Sequence, residues 1–244
     1  MTTTTDGTTL TGAARETYVT GMFDRIASGY DRLNRIISLG RDQPLRRAAI
    51  QMAGVKPGMR VADLGTGTGD LYVMLQETVG PTGQVVGIDL ADNMLEVARK
   101  KAAVKLPDRT HELRQGGADA TGLPDQWADV VTMGWVLRNV GDRQAVYREV
   151  RRILKPGGRF VCIDMSTPDF APLRWGANFY LNYIMPVAAT LVGADRTAYV
   201  YLAKSTAKFP RKQELADEWK AAGFHDVQFR SYMGGGIGIH AASV

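Results

Sequence analysis

Residues 61–70 read Val61-Ala62-Asp63-Leu64-Gly65-Thr66-Gly67-Thr68-Gly69-Asp70, and this stretch decides the fold. It begins as a short apolar strand with an acid near its end, and three glycines then alternate with other residues. An apolar segment of helical character follows at residues 71–75. Glycine lets the backbone approach a ligand closely, and the start of a helix directs free N–H groups towards it. The stretch therefore predicts a strand, a turn and a helix that hold a nucleotide-type ligand.

The spacing of the glycines distinguishes between ligands. A dinucleotide site has the pattern G-x-G-x-x-G, and its third glycine packs the helix against the strand beside a pyrophosphate. Here Asp70 takes that third position, where its carboxylate suits the helix dipole but opposes a pyrophosphate. The pattern favours an adenosine ligand that carries a positive charge, and S-adenosylmethionine meets that description. The alternative is a glycine-rich turn without a ligand, although a plain turn rarely needs three glycines and two acids.

Alternating strand and helix patterns follow this turn and predict a parallel, doubly wound α/β sheet with its ligands at the carboxyl ends of the strands. A last helix and two glycine-separated strands then give a hairpin finish. The predicted strands are residues 61–64, 84–89, 111–114, 129–133, 159–164, 226–231 and 236–240. The predicted helices are residues 71–79, 92–105, 142–154 and 213–222, with Asp92 as the N-cap of the second.

Three segments lie outside this alternation. Residues 1–13 are threonine-rich and nearly uncharged, so we expect a disordered tail before a single domain at residues 14–244. Residues 14–55 contain amphipathic helices, broken near Gly29 and Gly40, that either close over a ligand or cover a sheet edge. Residues 168–208 are rich in Tyr, Leu, Met and Ala. They form either a cap whose apolar face lines a pocket or ordinary core helices, and their composition favours core helices.

Composition excludes several kinds of site. The chain has 244 residues, a formal net charge of +5 and one cysteine, Cys162, which lies inside an apolar run. This position argues against a thiol nucleophile and suits a reducing compartment. The three histidines, His111, His225 and His240, have no metal-ligand spacing, so we expect no metal.

The distribution of charge and hydropathy bears on partners and location. The sequence contains no basic patch interleaved with aromatic residues, so we expect no nucleic-acid partner. Pairs such as Lys100-Lys101 are expected on exposed helix faces. No signal peptide or membrane-spanning run is visible, so we expect a cytoplasmic protein. The positive charge is compatible with peripheral contact to an anionic membrane surface. A homodimer is also compatible with the sequence.

Acids at the ends of three strands are candidates for cofactor binding. Asp89 ends the second strand about twenty residues after the last glycine, where a carboxylate accepts hydrogen bonds from both ribose hydroxyls. Asp63 either orients the glycine turn or faces the methionine ammonium group. Asp119, followed by Ala120, comes after the third strand, where the adenine edge is expected, although an acid there is also typical of a turn. Met94 either packs on the adenine or belongs to the core.

Further motifs connect the chain to a known family. They are Tyr30-Asp31-Arg32-Leu33-Asn34, Gly67-Thr68-Gly69-Asp70, Leu137-Arg138-Asn139-Val140, Leu154-Lys155-Pro156-Gly157-Gly158 and Tyr199-Val200-Tyr201-Leu202. With them the chain resembles the ubiquinone/menaquinone biosynthesis C-methyltransferases, a branch of the class I S-adenosylmethionine-dependent methyltransferases, over almost its whole length. Many methyltransferases share the glycine motif, whereas the Tyr-Asp-x-x-Asn, Leu-Arg-Asn and Tyr-x-Tyr-Leu motifs are far more specific to the quinone branch.

The resemblance implies a fold and a cofactor. The fold is a class I methyltransferase Rossmann-like sheet of seven strands, mostly parallel with an antiparallel C-terminal hairpin strand, plus N-terminal helices and a helical cap. The cofactor is S-adenosylmethionine, and the product is S-adenosylhomocysteine. Family contacts carry over to Thr68, Asp89, Asp119 and Ala120. The complete predicted cofactor set is Asp63, Gly65, Thr66, Gly67, Thr68, Asp89, Leu90, Met94, Asp119 and Ala120.

The resemblance also implies methyl transfer to a ring carbon of a prenylated quinol, either demethylmenaquinol or a ubiquinone precursor. In such a reaction, alignment of the reactants and exclusion of water carry most of the effect. Arg138 either stabilises a developing oxyanion or forms a salt bridge that organises the cap. Tyr30 and Asn139 are candidates for contact with the quinol oxygens. His240 is either a base or a packed residue at a strand end.

Some positions depart from the family pattern, and other functions stay open. Gly134 stands where the family often has a hydroxyl residue, residues 41–45 lack the usual tryptophan, and Lys204 replaces an acid. One alternative function is methylation of another small aromatic or lipid-like acceptor by the same fold. The other is a non-catalytic cofactor-binding member of a quinone-synthesis complex.

Overall fold

The computed structural model of the protein describes residues 7–38, 40–185, 187 and 196–244. Its strands are β1 (Arg60–Leu64), β2 (Gln84–Asp89), β3 (Glu112–Gln115), β4 (Ala128–Gly134), β5 (Leu154–Met165), β6 (His225–Tyr232) and β7 (Ile237–Ser243). Its α-helices are α1 (Gly12–Ile26), α2 (Tyr30–Ile37), α3 (Asp42–Ala53), α4 (Asp70–Val79), α5 (Asp92–Lys105), α6 (Arg143–Ile153), α7 (Ala171–Phe179), α8 (Arg196–Lys208) and α9 (Lys212–Ala221). A π-helical turn, Tyr180–Ile184, continues α7, and a 3-10 turn, Leu137–Asn139, follows β4.

The seven strands form one sheet in the order β3-β2-β1-β4-β5-β7-β6. Strands β1 to β5 pair in parallel, whereas β7 is antiparallel to both β5 and β6. The predicted mostly parallel sheet with an antiparallel hairpin is therefore confirmed. Because the chain leaves β1 towards β2 and returns to β4 on the other side, the carboxyl ends of these three strands border a crevice, the usual ligand site of such sheets.

Helices cover both faces of the sheet, which explains why its inner strands are apolar on both sides. Helices α3 and α4 pack on one face through residues such as Leu45 and Tyr72. Helices α6 and α9 pack on the other, where the Trp219 ring stacks on Phe160 with centroids 4.3 Å apart. Cys162 is buried in this second core, and burial raises the pKa of its thiol, so the side chain is an unreactive packing residue as predicted.

One predicted helix cap is wrong. Asp92 is the first residue of α5, and the N-cap is Ala91, which makes no side-chain capping bond. The Asp89 carboxylate instead accepts a hydrogen bond from the Ala91 N–H at 2.9 Å, because the acid that ends β2 lies nearer to that amide. At α6 the Asp142 side chain is a true cap and accepts from the amides of Gln144 and Ala145.

The N-terminal segment is only partly described. Residues 1–6 lie outside the described residues, so the tail expected at residues 1–13 stays a prediction there. Within residues 7–13, Thr8 is buried, its carbonyl accepts a hydrogen bond from Lys208 Nζ at 2.8 Å, and α1 begins at Gly12. The breaks near Gly29 and Gly40 separate α1, α2 and α3 as predicted.

Part of the segment at residues 168–208 packs as core helix and part does not. None of the residues of α7 is buried, which departs from the interpretation that the composition favoured, whereas Tyr201 and Ala203 of α8 are buried. Leu181 and Met185 in the turn after α7 are buried and pack against Ala203 of α8. Residues 186 and 188–195 of the predicted cap lie outside the described residues. No helix in the described part of the chain is long and apolar enough to cross a membrane.

Candidate active site

A first cavity opens at the carboxyl ends of β1, β2 and β4. Its walls include most of the predicted site residues, namely Asp63, Gly65, Thr66, Gly67, Thr68, Asp89, Leu90, Met94, Asp119, Tyr30 and Asn139. Ala120 is not on the wall, because it is exposed beyond a short bridge to Gly117, and Ala118 takes its place. Met94 is also buried against Tyr30 and Phe23, so it is a core residue and a wall residue together.

The surroundings of Gly65 and Gly67 explain why the turn has glycine at these two positions. Gly65 has a φ of 68°, and a Cβ there would lie 2.2 Å from Cγ2 of Val136. Val136 closes the cavity from the loop after β4, so only glycine fits beneath it. Gly67 has a φ of 55° and no heavy atom within 4 Å of its Cβ position, so its backbone is open to a ligand.

Asp89 holds the turn and faces the cavity. One carboxylate oxygen accepts from the Gly67 N–H at 2.8 Å and the other from the Ala91 N–H at 2.9 Å. Burial raises the pKa of Asp89, although these amide bonds oppose the shift. Each carboxylate oxygen has a second lone pair for a ligand, so the carboxylate can accept hydrogen bonds from a diol.

Asp63 orients the turn from below. It is almost completely buried, and its two oxygens accept from the hydroxyls of Thr66 and Thr132, each at 2.7 Å. Burial raises the pKa of Asp63 to about 6, and the two hydroxyl bonds work against that rise. Of the two predicted roles, the structure shows the orientation of the loop, and contact with an ammonium group stays a prediction.

Asp70, in the position of the missing third glycine, connects the N-terminal helices to the sheet. Its carboxylate contacts Lys101 Nζ, accepts from Gln43 Nε2 at 2.8 Å and lies 3.8 Å from Arg46 Nη2. Burial opposes its ionisation, but Lys101 and Arg46 outweigh it and lower the pKa of Asp70. These cations compensate the charge that we expected to repel a pyrophosphate.

The sequence predicted that Lys101 lies on an exposed helix face. This prediction is wrong, because Lys101 is part of a partly buried ion-pair cluster. Its ammonium also pairs with Asp31 Oδ2 at 2.6 Å, and Asp31 accepts a hydrogen bond from the Thr68 hydroxyl. The cluster of Asp31, Thr68, Asp70 and Lys101 fastens α2 to the glycine turn and α5.

A second cavity of about 420 Å³ adjoins the first. Its lining is mainly apolar and includes Leu45, Met165, Tyr180, Leu181, Met185, Tyr201 and Leu202, together with Arg138. Phe23, Tyr30, Arg46 and Trp135 line both cavities. The two cavities therefore meet at a common wall made by α1, α2, α3 and the end of β4.

Trp135 and Arg46 on this common wall were not predicted. The Arg46 guanidinium carbon lies 4.6 Å from the centroid of the Trp135 ring, a cation–π distance. Trp135 has a φ of 60°, which is strained for an aromatic residue, and its N–H donates to the Ile163 carbonyl at 2.7 Å. Trp135 directly follows β4, so the strand-end argument that identified Asp89 also applies to it. Arg46 looks like an ordinary residue of an amphipathic helix.

Arg138 lines the second cavity and forms a salt bridge with Asp164 of β5, not with a residue of the predicted cap. Its Nη1 donates to Asp164 Oδ1 at 2.6 Å, and its backbone N–H donates to the other carboxylate oxygen at 3.1 Å. Burial acts to lower the pKa of Arg138, but the Asp164 charge raises it, so the guanidinium stays charged. Its Nε is buried and has no partner among the described residues.

Asn139 and His240 have different surroundings. Asn139 lines the first cavity, and its Nδ2 donates to the Trp135 carbonyl at 3.2 Å. Its Oδ1 is buried and has no partner in the described part of the chain. His240 lies in the core against Trp219, with Nε2 2.9 Å from the Lys212 carbonyl, and burial lowers its pKa. Of the two alternatives for His240, a base or a packed residue at a strand end, the structure shows the packed residue. No three potential metal-ligating side chains cluster within the described ranges.

Comparisons with known proteins match nearly the whole chain. The family model described as the ubiE/COQ5 methyltransferase family matches residues 11–243. The ubiquinone/menaquinone biosynthesis C-methyltransferase UbiE of Desulfotalea psychrophila is 41% identical over 221 residues, which cover 90% of this chain and 87% of that protein. The demethylmenaquinone methyltransferase of Listeria welshimeri is 38% identical over 227 residues, or 93% of this chain and 95% of that protein.

Solved structures share the fold. A SAM-dependent methyltransferase from Aquifex aeolicus has a TM-score of 0.60 at 21% identity and covers 82% of this chain and 89% of its own. A SAM-dependent methyltransferase from Thermotoga maritima has a TM-score of 0.63 at 20% identity and covers 91% of this chain and 98% of its own. These likenesses confirm the class I methyltransferase fold. Because the family model spans almost all of the residues, the chain belongs to the ubiE/COQ5 methyltransferase family.

Proposed function

We propose that this methyltransferase transfers a methyl group from S-adenosylmethionine to a ring carbon of a prenylated quinol, such as demethylmenaquinol. The observation that carries the proposal is the common wall of the two cavities, formed by Phe23, Tyr30, Arg46 and Trp135. One cavity has the polar groups that an adenosine ligand requires, and the other is apolar enough for a prenylated ring. The names of the relatives in Desulfotalea and Listeria support the same acceptor class.

The residues of the first cavity fit S-adenosylmethionine. Asp89 offers carboxylate lone pairs to a ribose diol, and Leu90 and Met94 offer apolar surface to an adenine. The buried, unpartnered Asn139 Oδ1 is an acceptor that a ligand N–H would satisfy. Gly67 leaves open space for the backbone to approach a ligand. When bound, S-adenosylmethionine supplies an electrophilic methyl group on a sulfonium sulfur.

The chain's contribution in the second cavity is position and charge. Arg138 remains a cation on an apolar wall, so it stabilises negative charge on a ring oxygen and thereby makes the ring carbon more nucleophilic. Tyr30 lines both cavities, so it is placed to contact a ring oxygen. The apolar side chains around them exclude water, which strengthens these interactions.

The acceptor chemistry has a consequence for location. A prenylated quinol partitions into lipid, so the proposal includes peripheral contact with a membrane. The net charge of +5 supports contact with an anionic surface.

A two-substrate turnover assay tests the proposal. Purified protein is given S-adenosylmethionine with an isotopically labelled methyl group and reduced demethylmenaquinone, and mass spectrometry follows the quinone. We expect one labelled methyl group on the ring carbon. Release of S-adenosylhomocysteine without a methylated quinone, or turnover only with an unprenylated acceptor, would contradict the proposal.

Two variants test the cofactor site by titration calorimetry. Asp89→Ala removes the carboxylate from the first cavity, so we expect at least about tenfold weaker cofactor binding by calorimetry, as for loss of a charge-assisted bond. Asp92→Ala is the matched control, because Asp92 lies three residues away in solvent and has a side chain 62% exposed. Unchanged affinity in Asp89→Ala would remove Asp89 from the cofactor site.

A further inference from the structure

Helix α7 and the π-helical turn after it form an apolar outer surface. No residue of α7 is buried. The exposed large side chains are Phe170 (65%), Leu173 (49%), Trp175 (73%), Phe179 (46%), Tyr183 (65%) and Ile184 (47%). A short helix in water is stabilised mainly by burial of one apolar face. The described residues bury no such face of α7, so its apolar face is complementary to something outside them.

The aromatic side chains form one continuous row. Trp175, Phe179 and Tyr183 are spaced four residues apart, with ring centroids separated by 5.9 Å and 5.3 Å. Such a row is more than the single exposed apolar residues that are normal on a protein surface. Trp and Tyr are the residues preferred at the boundary between lipid and water, because each combines an apolar ring with a polar group.

The aromatic row is on the same helix as a wall of the second cavity. Gly176, Ala177 and Tyr180 line that cavity, whereas the neighbouring side chains of Trp175 and Phe179 are exposed. Tyr180 and Met233 both line the cavity and are 37% and 45% exposed. The second cavity therefore reaches the surface beside the aromatic row.

Exposed cations lie on two further helices that line this cavity. Asn34 of α2 and Leu45 of α3 are among its lining residues. The same two helices carry the exposed residues Arg32, Arg35 and Arg47. Together with the net charge of +5, these arginines favour an anionic surface.

We propose that α7 and the π-helical turn, residues 171–184, dock the protein on an anionic lipid bilayer and that the second cavity opens into that bilayer. The proposal rests on the proposed function, because it identifies where a lipid-borne acceptor enters. Aromatic rings, a cavity that reaches the surface beside them and exposed arginines on two cavity-lining helices match a charged lipid surface.

Flotation with vesicles tests the docking surface. The probe is vesicles of phosphatidylglycerol and phosphatidylcholine, with pure phosphatidylcholine vesicles for comparison. The variant Trp175→Ser/Phe179→Ser changes only exposed side chains, and Val104→Ser, at a position 80% exposed on α5, is the matched control. We expect wild type and Val104→Ser to float with the anionic vesicles and the double variant to lose at least about tenfold in partitioning, as for loss of two buried aromatic anchors. Equal flotation of all three proteins would overturn the proposal.

Turnover measurements separate this proposal from the proposed function. With a short-chain, water-soluble quinol, the double variant should keep the wild-type rate, whereas with a long-chain acceptor in anionic vesicles its rate should fall at least tenfold. If no quinol is methylated but flotation still depends on residues 175 and 179, the docking surface stands and the proposed function fails. If the double variant changes the sedimentation coefficient from dimer to monomer and still floats, the surface belongs to a second copy and docking is overturned.

Discussion

At the scale of single residues, Asp63 has an ionisation that depends on the fold. The side chain is 1% exposed, and burial raises its pKa from an ordinary value of 3.8 to about 6. Because the folded pKa lies above the unfolded one, the folded state binds the proton more tightly. The contribution of Asp63 to stability is thus fully present below pH 3.8 and is lost as the pH rises through about 6.

This shift predicts a pH-dependent difference between wild type and Asp63→Asn. At about 1.4 kcal/mol per pH unit, a pKa that moves from 3.8 to about 6 corresponds to about 3 kcal/mol. Since asparagine does not ionise, the free energy of unfolding of Asp63→Asn should rise relative to wild type between pH 4 and pH 7, by up to that amount. Urea unfolding at several pH values measures the difference, with Asp92→Asn as a control in solvent. A difference that does not vary with pH would contradict the shift.

Arg138 is the second residue whose role a variant can separate. Arg138→Met leaves the Asp164 carboxylate buried without its cation, so we expect a loss of about 3–5 kcal/mol in the free energy of unfolding. Arg138→Met/Asp164→Asn removes the unpaired charge and should recover most of that stability. If the Arg138 charge acts on the acceptor, kcat of the double variant stays at least about a hundredfold low while cofactor affinity is unchanged. Recovery of turnover together with stability would show that Arg138 acts only as a structural ion pair.

At the scale of elements, Lys101 fastens α2 to α4 and α5. Lys101→Met leaves the carboxylates of Asp31 and Asp70 near each other without the ammonium that both contact. We expect Tm to fall by at least about 3 °C, the shift for about 1 kcal/mol in a chain of this size, and cofactor affinity to weaken because Asp31 also holds Thr68. Lys100→Met, at the exposed neighbouring position, is the control. Differential scanning calorimetry and titration calorimetry measure both effects, and equal results for the two variants would contradict this role.

Elements with strong local patterns were predicted well. Strand β2 and helix α5 begin and end at the predicted residues, because apolar periodicity and glycine turns act locally. Helix α7 was not, since apolar residues such as Leu173, Trp175 and Phe179 look the same in the sequence whether they pack in a core or face outward. The cap at Asp92 was wrong for a related reason, because the position of Asp89 relative to the Ala91 amide depends on how β2 meets α5.

At the scale of the whole molecule, the N-terminal helices complete the first cavity. Glu16, Val19, Thr20 and Phe23 of α1 line the first cavity from the side opposite the sheet. Of these helices, α1 therefore lies over the first cavity, whereas α3 packs on a face of the sheet. The order of the helices that line the first cavity is coupled to whatever occupies it.

This coupling predicts where a ligand will stabilise the protein. With S-adenosylhomocysteine at saturation, amide hydrogen exchange should slow in α1 and α2 by at least about tenfold, because these helices then open less often. Helix α9, whose Trp219 is fully buried against the far face of the sheet, is the internal control and should change much less. Hydrogen exchange with mass spectrometry measures both, and equal slowing in all helices would contradict the coupling.

The sequence by itself determined the glycine turn, the alternation of strands and helices, and the acids at the strand ends. It also determined the family motifs that match a family model over residues 11–243. These features are local in the chain or directly readable as motifs, and the strand-end rule brings Asp63 and Asp89 to one edge of the sheet.

Only the tertiary structure decided what lies on the wall between the two cavities. Arg46 and Trp135 are 89 positions apart in the chain, and their contact depends on how α3 packs beside the end of β4. The structure also decided that Asp70 forms an ion pair with Lys101 and that α7 faces outward. Packing sets these contacts, and a pattern of residue types along one chain contains no distance between residues that are far apart in sequence.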